Sequence, residues 1–312
     1  MKLSDELGRF KCLVAEFILV FHTATGFSPS LRATRVQPNR RLGQAGHGVI
    51  SWRGRQLLAV GPRCMSVQCR EIAPFRMKEF SVAHDQCAMR LNTDGCLLGA
   101  LAAAETDASS VARILDVGTG CGVIALQMAQ RFQQASVDAV DIHGPSVKQA
   151  AENFRNSPWA ERLVCHHEPF QEMTTLQRYD IIVSNPPFFP VHEGKMPSDA
   201  RRATAKHTGS LDFKTLLEKS ASLLRATGSL WVVLPCDVTA KFLREAANAG
   251  LFPHKKIRIR PKEGSEANRC ICALYKEGKA DVEEQDITIY NEHPKTYTDE
   301  ARDIFEPFYL SL

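Results

Sequence analysis

No apolar run in the 312-residue chain reaches the ~18 residues that a membrane-spanning helix needs, so no transmembrane segment is expected. The stretch CLVAEFILVF (Cys12 to Phe21) has the length of a signal-peptide core. Glu16 interrupts it, however, and Asp5 and Glu6 spoil the basic flank such a peptide carries. No C-x-x-C pair occurs among the ten cysteines, most of which sit singly inside apolar stretches. Cys270 and Cys272 share one face of a strand, but a zinc site would need two further ligands at suitable spacing. No metal is therefore expected, and reduced thiols point to the cytoplasm. No internal repeat is present. An excess of one charge is also missing from most of the chain. Residues 1–64 hold ten Lys/Arg against three Asp/Glu, whereas the remainder holds 29 basic against 32 acidic residues. Bulk charge does not announce a nucleic-acid partner, so a local patch would have to do so.

What is there begins with a basic N-terminal extension, residues 1–64. Its stretch SLRATRVQPNRRLGQAGHGVISWRGRQ keeps no hydrophobic period. It reads as a basic arm on RNA, as a segment without fixed structure, or as upstream sequence from an early start codon, with Met65 the true start. Residues 65–110 form a lead-in and 111–312 the main domain. In that domain apolar, β-rich runs alternate with helical stretches: RILDVG, a helix from Gly122 to Phe132, SVDAVDI, a helix over 145–156, LVCHHE and YDIIVSN. A helix over 211–226, GSLWVVLP, a helix over 237–249, HKKIRIR and RCICALY follow. Such alternation predicts an α/β fold, a mostly parallel sheet with helices on both faces and ligands bound beyond the carboxyl ends of the strands. Residues 287–312 add a strand (DITIY) and an amphipathic helix (DEARDIFEPFY).

The first of these strands ends LDVGTGCG. Gly118 and Gly120 permit a tight turn and close backbone approach to a ligand. A dinucleotide fingerprint would need glycine at 123, where the chain has Val123. With Asp116 two residues ahead of Gly118, the turn suits S-adenosylmethionine, which has no pyrophosphate to cradle and carries an ammonium that an acid can meet. A purely structural turn is the alternative. Asp141 ends the next strand, 25 residues after Asp116, where an acid commonly takes both ribose hydroxyls. The alternative is an N-cap for the helix that follows.

The segment YDIIVSNPPFF runs from an apolar strand straight into Asn185-Pro186-Pro187-Phe188. Proline fixes its own φ and holds the preceding residue extended, which stiffens the loop. The Asn185 side chain and the Pro186 carbonyl can then face one point as two acceptors. An exocyclic amine on a base is a poor nucleophile because its lone pair is delocalised into the ring. Two acceptors that take both N–H hydrogens draw the nitrogen towards tetrahedral geometry, and it can then attack a sulfonium methyl in line. Phe188 offers a face on which an unstacked base can lie, and the base must be looped out or flipped to reach it.

The order LDVGTGCG, acid, NPPF resembles class I S-adenosylmethionine-dependent methyltransferases directed at amino groups. FRMKEFSVAHDQCAMRLNTDGCLLGA, AENFRNSPWAERL, RATAKHTGSLDFKTLL and YTDEARDIFEPFYLSL narrow the resemblance to the bacterial tRNA1(Val) adenine-N6 methyltransferase family, over roughly residues 70–312. The resemblance implies a Rossmann-like, seven-stranded, mostly parallel sheet and methylation of adenine 37 in the anticodon loop of a valine tRNA. It also implies that Gly118, Gly120 and Asp141 bind S-adenosylmethionine while Asn185, Pro186 and Phe188 serve the adenine. Two departures stand out. Phe188 replaces the tyrosine common in the family, and Pro169 occupies the position of the usual adenine-contacting acid, with Glu168 beside it as a substitute.

Two basic clusters are candidates for holding RNA. Arg201, Arg202 and Lys206 follow NPPF closely, with a solvated loop as the alternative. Lys256, Arg258 and Arg260 share one face of a strand, which a charged, solvent-facing edge strand explains equally well. Arg269 and Lys262 would extend either patch. Thr93-Asp94-Gly95 either closes over the cofactor or starts a helix, and His84, His166 and His167 read as polar fillers. Rival readings are a guanine-N2 rRNA methyltransferase, a glutamine-N5 protein methyltransferase, and a binding protein that has lost catalysis. HTGSLDF and the C-terminal tail argue against the first two, and intact Asn185 with the Gly118/Gly120 turn against the third.

Overall fold

The computed structural model describes residues 72–186, 211–292 and 296–312, which fall in one compact unit, residues 71–312. The expectations for residues 1–64, Phe188, Arg201, Arg202 and Lys206 lie outside the described residues.

The chain enters through a two-stranded antiparallel hairpin, β1 (Phe75–Arg76) and β2 (Ser81–Val82), and then α1 (Thr93–Ala104). Gly95 to Ala103 of α1 are all buried, as expected of a helix that is apolar all round. The lead-in is thus part of the core. Strands and helices then alternate: β3 (Arg113–Val117), α2 (Val123–Arg131), β4 (Ser136–Asp141), α3 (Gly144–Arg155), β5 (Leu163–His167) and β6 (Tyr179–Ser184). The second half runs α4 (Phe213–Leu223), β7 (Leu224–Pro235), α5 (Cys236–Asn248), β8 (Phe252–Lys262), β9 (Arg269–Tyr275), β10 (Glu283–Tyr290) and α6 (Asp299–Phe305).

The main sheet has the order β10-β8-β9-β7-β6-β3-β4-β5. Only β9 runs against its neighbours, β7 and β8; all other pairs are parallel. The central β3 buries Ile114, Leu115 and Val117 completely, which is the uninterrupted apolar pattern of a parallel strand covered on both faces. The seven expected strands gain an eighth, because the DITIY segment joins the sheet as β10 alongside β8. Helix α4 ends earlier than the reading over 211–226. Leu224 pairs with Tyr179, and Lys276 Nζ donates to its carbonyl at 2.7 Å, so Leu224 to Ala226 extend the strand instead.

Candidate active site

Strand register brings the site together. Val117 lies opposite both Val140 of β4 and Ser184 of β6, so Gly118, Asp141 and Asn185 leave three adjacent strands at one level. Neighbouring strands are about 4.8 Å apart, which places the expected cofactor turn beside the expected catalytic asparagine. Ser184 Oγ donates to the Val117 carbonyl at 2.9 Å and fastens the two strand ends.

The glycine turn is built from positive-φ residues, with φ of 73° at Gly118, 56° at Gly120 and 83° at Gly122. Beside Gly118 and Gly120 there is open space where a side chain would stand, whereas a Cβ at Gly122 would lie 2.5 Å from Phe154. The first two leave room for a ligand; the third permits α2 to pack against α3. Asp116 beneath the turn is fully buried. Its Oδ2 accepts from Thr119 Oγ1 at 2.6 Å and from the Ala125 N–H at 3.2 Å, while its Oδ1 has no partner among the described residues. Burial pushes its carboxyl up to about 7, and the charge of nearby Asp141 adds to the rise.

Asp141 Oδ2 accepts from the Gly120 N–H at 2.9 Å and its Oδ1 from the His143 N–H at 2.8 Å. It does not cap the helix that follows; the N-cap of α3 is His143, whose ring accepts from the Ser146 N–H. That removes the capping alternative and leaves a half-buried carboxylate braced against the glycine turn. Ile142 beside it is an exposed large apolar residue, a feature the sequence reading missed. Glu168 lies one residue beyond His167, which pairs with Asp141, so it stands at the same end of the sheet and half-buried.

Asn185 and Pro186 follow β6 directly, the first half-buried and the second buried. The Asn185 Nδ2 donates to Asn92 Oδ1 at 3.4 Å. Asn92 is the N-cap of α1, its Oδ1 also accepting from the Gly95 N–H at 2.8 Å. Asp94 in the same turn is bound by Arg269 at 2.7 Å. Thr93-Asp94-Gly95 therefore starts a helix, and that helix start meets the asparagine. The loop leading to it is held by α3: Gln149 Oε1 accepts from the Gln86 N–H, and Asn153 bonds both Ala83 and the Cys121 carbonyl of the glycine turn.

The second basic cluster is not a free patch. Lys256 pairs with Glu284 at 2.5 Å, and Arg258 and Arg260 both reach Asp286, at 2.6 and 2.8 Å. Strand β10 covers the β8 edge, so β8 is not an exposed edge strand, and it supplies acids that pair with Lys256, Arg258 and Arg260, whose side chains stay partly exposed. Among the described residues no cluster of metal-ligating side chains occurs, and no helix is long and apolar enough to cross a membrane.

Residues 96–247 match the family model of the methyltransferase small domain. A Christiangramia forsetii protein named tRNA1(Val) (adenine(37)-N6)-methyltransferase is 36% identical over 244 residues, 77% of this chain and 98% of the relative. The chain belongs to this family. Proteins of the same name from Bacteroides fragilis and Trichodesmium erythraeum are 39% and 38% identical, each over 76% of this chain and 98% and 97% of their own lengths. A solved structure described as a predicted O-methyltransferase, from Agrobacterium tumefaciens, superposes with a TM-score of 0.51 at 16% identity, covering 69% of this chain and 96% of its own. That likeness bears on the fold alone. As a member of the tRNA1(Val) (adenine(37)-N6)-methyltransferase family the chain is a methyltransferase, and its cofactor is S-adenosylmethionine. The residues present fit that group: an orphaned buried carboxylate oxygen for an ammonium, open space beside two glycines, and a braced acid at the next strand end for a ribose.

Proposed function

We propose that this chain methylates the exocyclic N6 of adenine 37 in tRNA1(Val), in the cytoplasm. The observation that carries the reading is Asn185 at the end of β6, level with Gly118 and Asp141, its amide nitrogen already bound by Asn92. In this reading Asp116, Gly118, Gly120 and Asp141 hold the cofactor, with Glu168 and the exposed face of Ile142 available to its base. Bound S-adenosylmethionine supplies an electrophilic methyl on a sulfonium. Asn185 Oδ1 and the Pro186 carbonyl accept the two N6 hydrogens and localise the nitrogen lone pair. With the cofactor bound, the N–C bond would form as the S–CH3 bond breaks to leave a neutral thioether, and an N–H proton held by Asn185 or Pro186 would pass to water, carrying away the positive charge the methyl brought. No strong base is needed, and rate comes from positioning and from acceptors aimed where positive charge develops. Phe188 is assigned to stack the flipped adenine, and Arg201, Arg202 and Lys206 to hold the RNA.

The test is nucleoside mass spectrometry after incubating the chain with methyl-labelled S-adenosylmethionine and unmodified bulk RNA. Label in N6-methyladenosine confined to a valine tRNA is expected. Label in N2-methylguanosine would keep the fold and transfer the substrate to guanine, and label in protein glutamine would remove RNA altogether. Asn185→Ala is expected to lower turnover by about a hundredfold or more while cofactor affinity persists. Retained turnover would refute the two-acceptor mechanism.

A further inference from the structure

We propose that Asn92 is a positioning residue that fixes the polarity of the Asn185 amide; this rests on the adenine-N6 reading above. A side-chain amide has a donor end and an acceptor end of nearly equal size, and a half-turn about its last torsion exchanges them. For Asn185 the two orientations have opposite consequences. With Oδ1 towards the target, the amide accepts an N–H of the exocyclic amine. With Nδ2 towards it, donor meets donor and the amine is repelled.

The choice is made at the start of α1. The Gly95 N–H can only donate, so the atom of Asn92 that meets it at 2.8 Å is the oxygen. The other end of the Asn92 amide is turned to Met89 Sδ at 3.0 Å, a weak acceptor, which agrees with a nitrogen there. Having its polarity set by backbone, Asn92 Oδ1 also takes Asn185 Nδ2 at 3.4 Å, and Asn185 Oδ1 is left for substrate. At 3.4 Å this bond is long, as bonds within catalytic constellations often are before substrate tightens them. A Cβ at Gly95 would lie 3.5 Å from Asn92 Oδ1 and 3.6 Å from Asn185 Nδ2, so the backbone of the helix start runs within van der Waals reach of the pair. The helix start is itself anchored, since Arg269 of β9 binds Asp94 at 2.7 Å. A single oxygen thus does two jobs, capping a helix and orienting the asparagine.

Two substitutions separate those jobs. Serine caps helices about as well as asparagine but is too short to reach Asn185, whereas aspartate keeps both the cap and the acceptor. With S-adenosylmethionine and unmodified valine tRNA, Asn92→Ser is expected to lower kcat about tenfold, leaving Tm and the KM for S-adenosylmethionine unchanged. Asn92→Asp is expected to keep most of kcat. A readout independent of turnover is the 15N-resolved side-chain amide of Asn185, assigned by its loss in Asn185→Ala. Its resonances should move towards those of a free amide in Asn92→Ser. Wild-type kcat in the serine variant, equal losses in both variants, or an unmoved Asn185 amide would each overturn the proposal. A wild-type protein that leaves adenine N6 unlabelled overturns the functional reading instead, and the amide resonance still decides whether Asn92 holds Asn185.

Discussion

Asp116 shows how one buried side chain can make stability depend on pH. Its carboxyl is raised from 3.8 to about 7, chiefly by burial, so between those values the folded chain holds a proton that the unfolded chain has released. The stability this contributes is complete below pH 3.8 and is lost as pH rises through about 7. At pH 8 the folded protein carries a buried carboxylate with one unpartnered oxygen, a cost on the order of a few kcal/mol. A cationic ammonium placed against Oδ1 would relieve it. Cofactor affinity is therefore expected to rise severalfold from pH 6 to about pH 7.5, before the ligand's own α-amino group deprotonates, with proton release on binding below pH 7. Asp116→Asn should flatten that dependence, weaken binding and, without cofactor, melt higher than wild type at pH 8. Calorimetric titration across the pH range checks the first two and thermal melts the third; a wild-type affinity that is flat with pH would show that Asp116 does not face the ammonium. At this scale the sequence put Gly118, Asp141 and Asn185 at strand ends, and the register of three adjacent strands brings those ends to one level. The sequence was silent on Asn92, because the pairing spans 93 residues and an Asn ahead of a helix reads equally well as a cap.

At the scale of elements, strand and helix order was readable because hydrophobic period and glycine turns are local. The pairing of the charge on β8 was not readable, for the opposite reason. Lys256 and Arg258 meet partners 28 residues later, in a strand that pairs with β8 only after β9 has turned back between them. Nothing local in HKKIRIR distinguishes a free cation from one already matched by Glu284 or Asp286. The difference is measurable. A protein cation that neutralises a phosphate contributes about one unit to the slope of log affinity against log salt. Arg258→Ala is expected to leave that slope for tRNA binding unchanged, since Asp286 already holds the guanidinium. A slope smaller by one unit would return Arg258 to the RNA surface.

At the scale of the whole molecule, the two ends of the described unit close on one another. Tyr309 of the C-terminal tail bridges to Met77, the Lys78 N–H donates to the Phe308 carbonyl at 2.8 Å, and Gln130 of α2 donates to the Pro307 carbonyl at 2.8 Å. Phe305 of α6 is completely buried, stacked on Tyr309 at 4.6 Å and edge-on to Tyr297 at 5.7 Å. Burial holds the Tyr309 phenol well above its ordinary range, and nearby Cys96 of α1 adds to the rise. The tail therefore presses on the helix whose first turn carries Asn92 and Asp94, so packing at the C-terminal tail supports the turn that meets Asn185. Phe305→Ala removes the ring at the centre of this contact and should cost about 3–5 kcal/mol, lowering Tm by ~10 °C. Saturating S-adenosylmethionine should restore part of that loss, because it binds the folded chain alone. An unchanged Tm would mean that α6 does not depend on this contact and that α1 is held by the sheet and α2 alone.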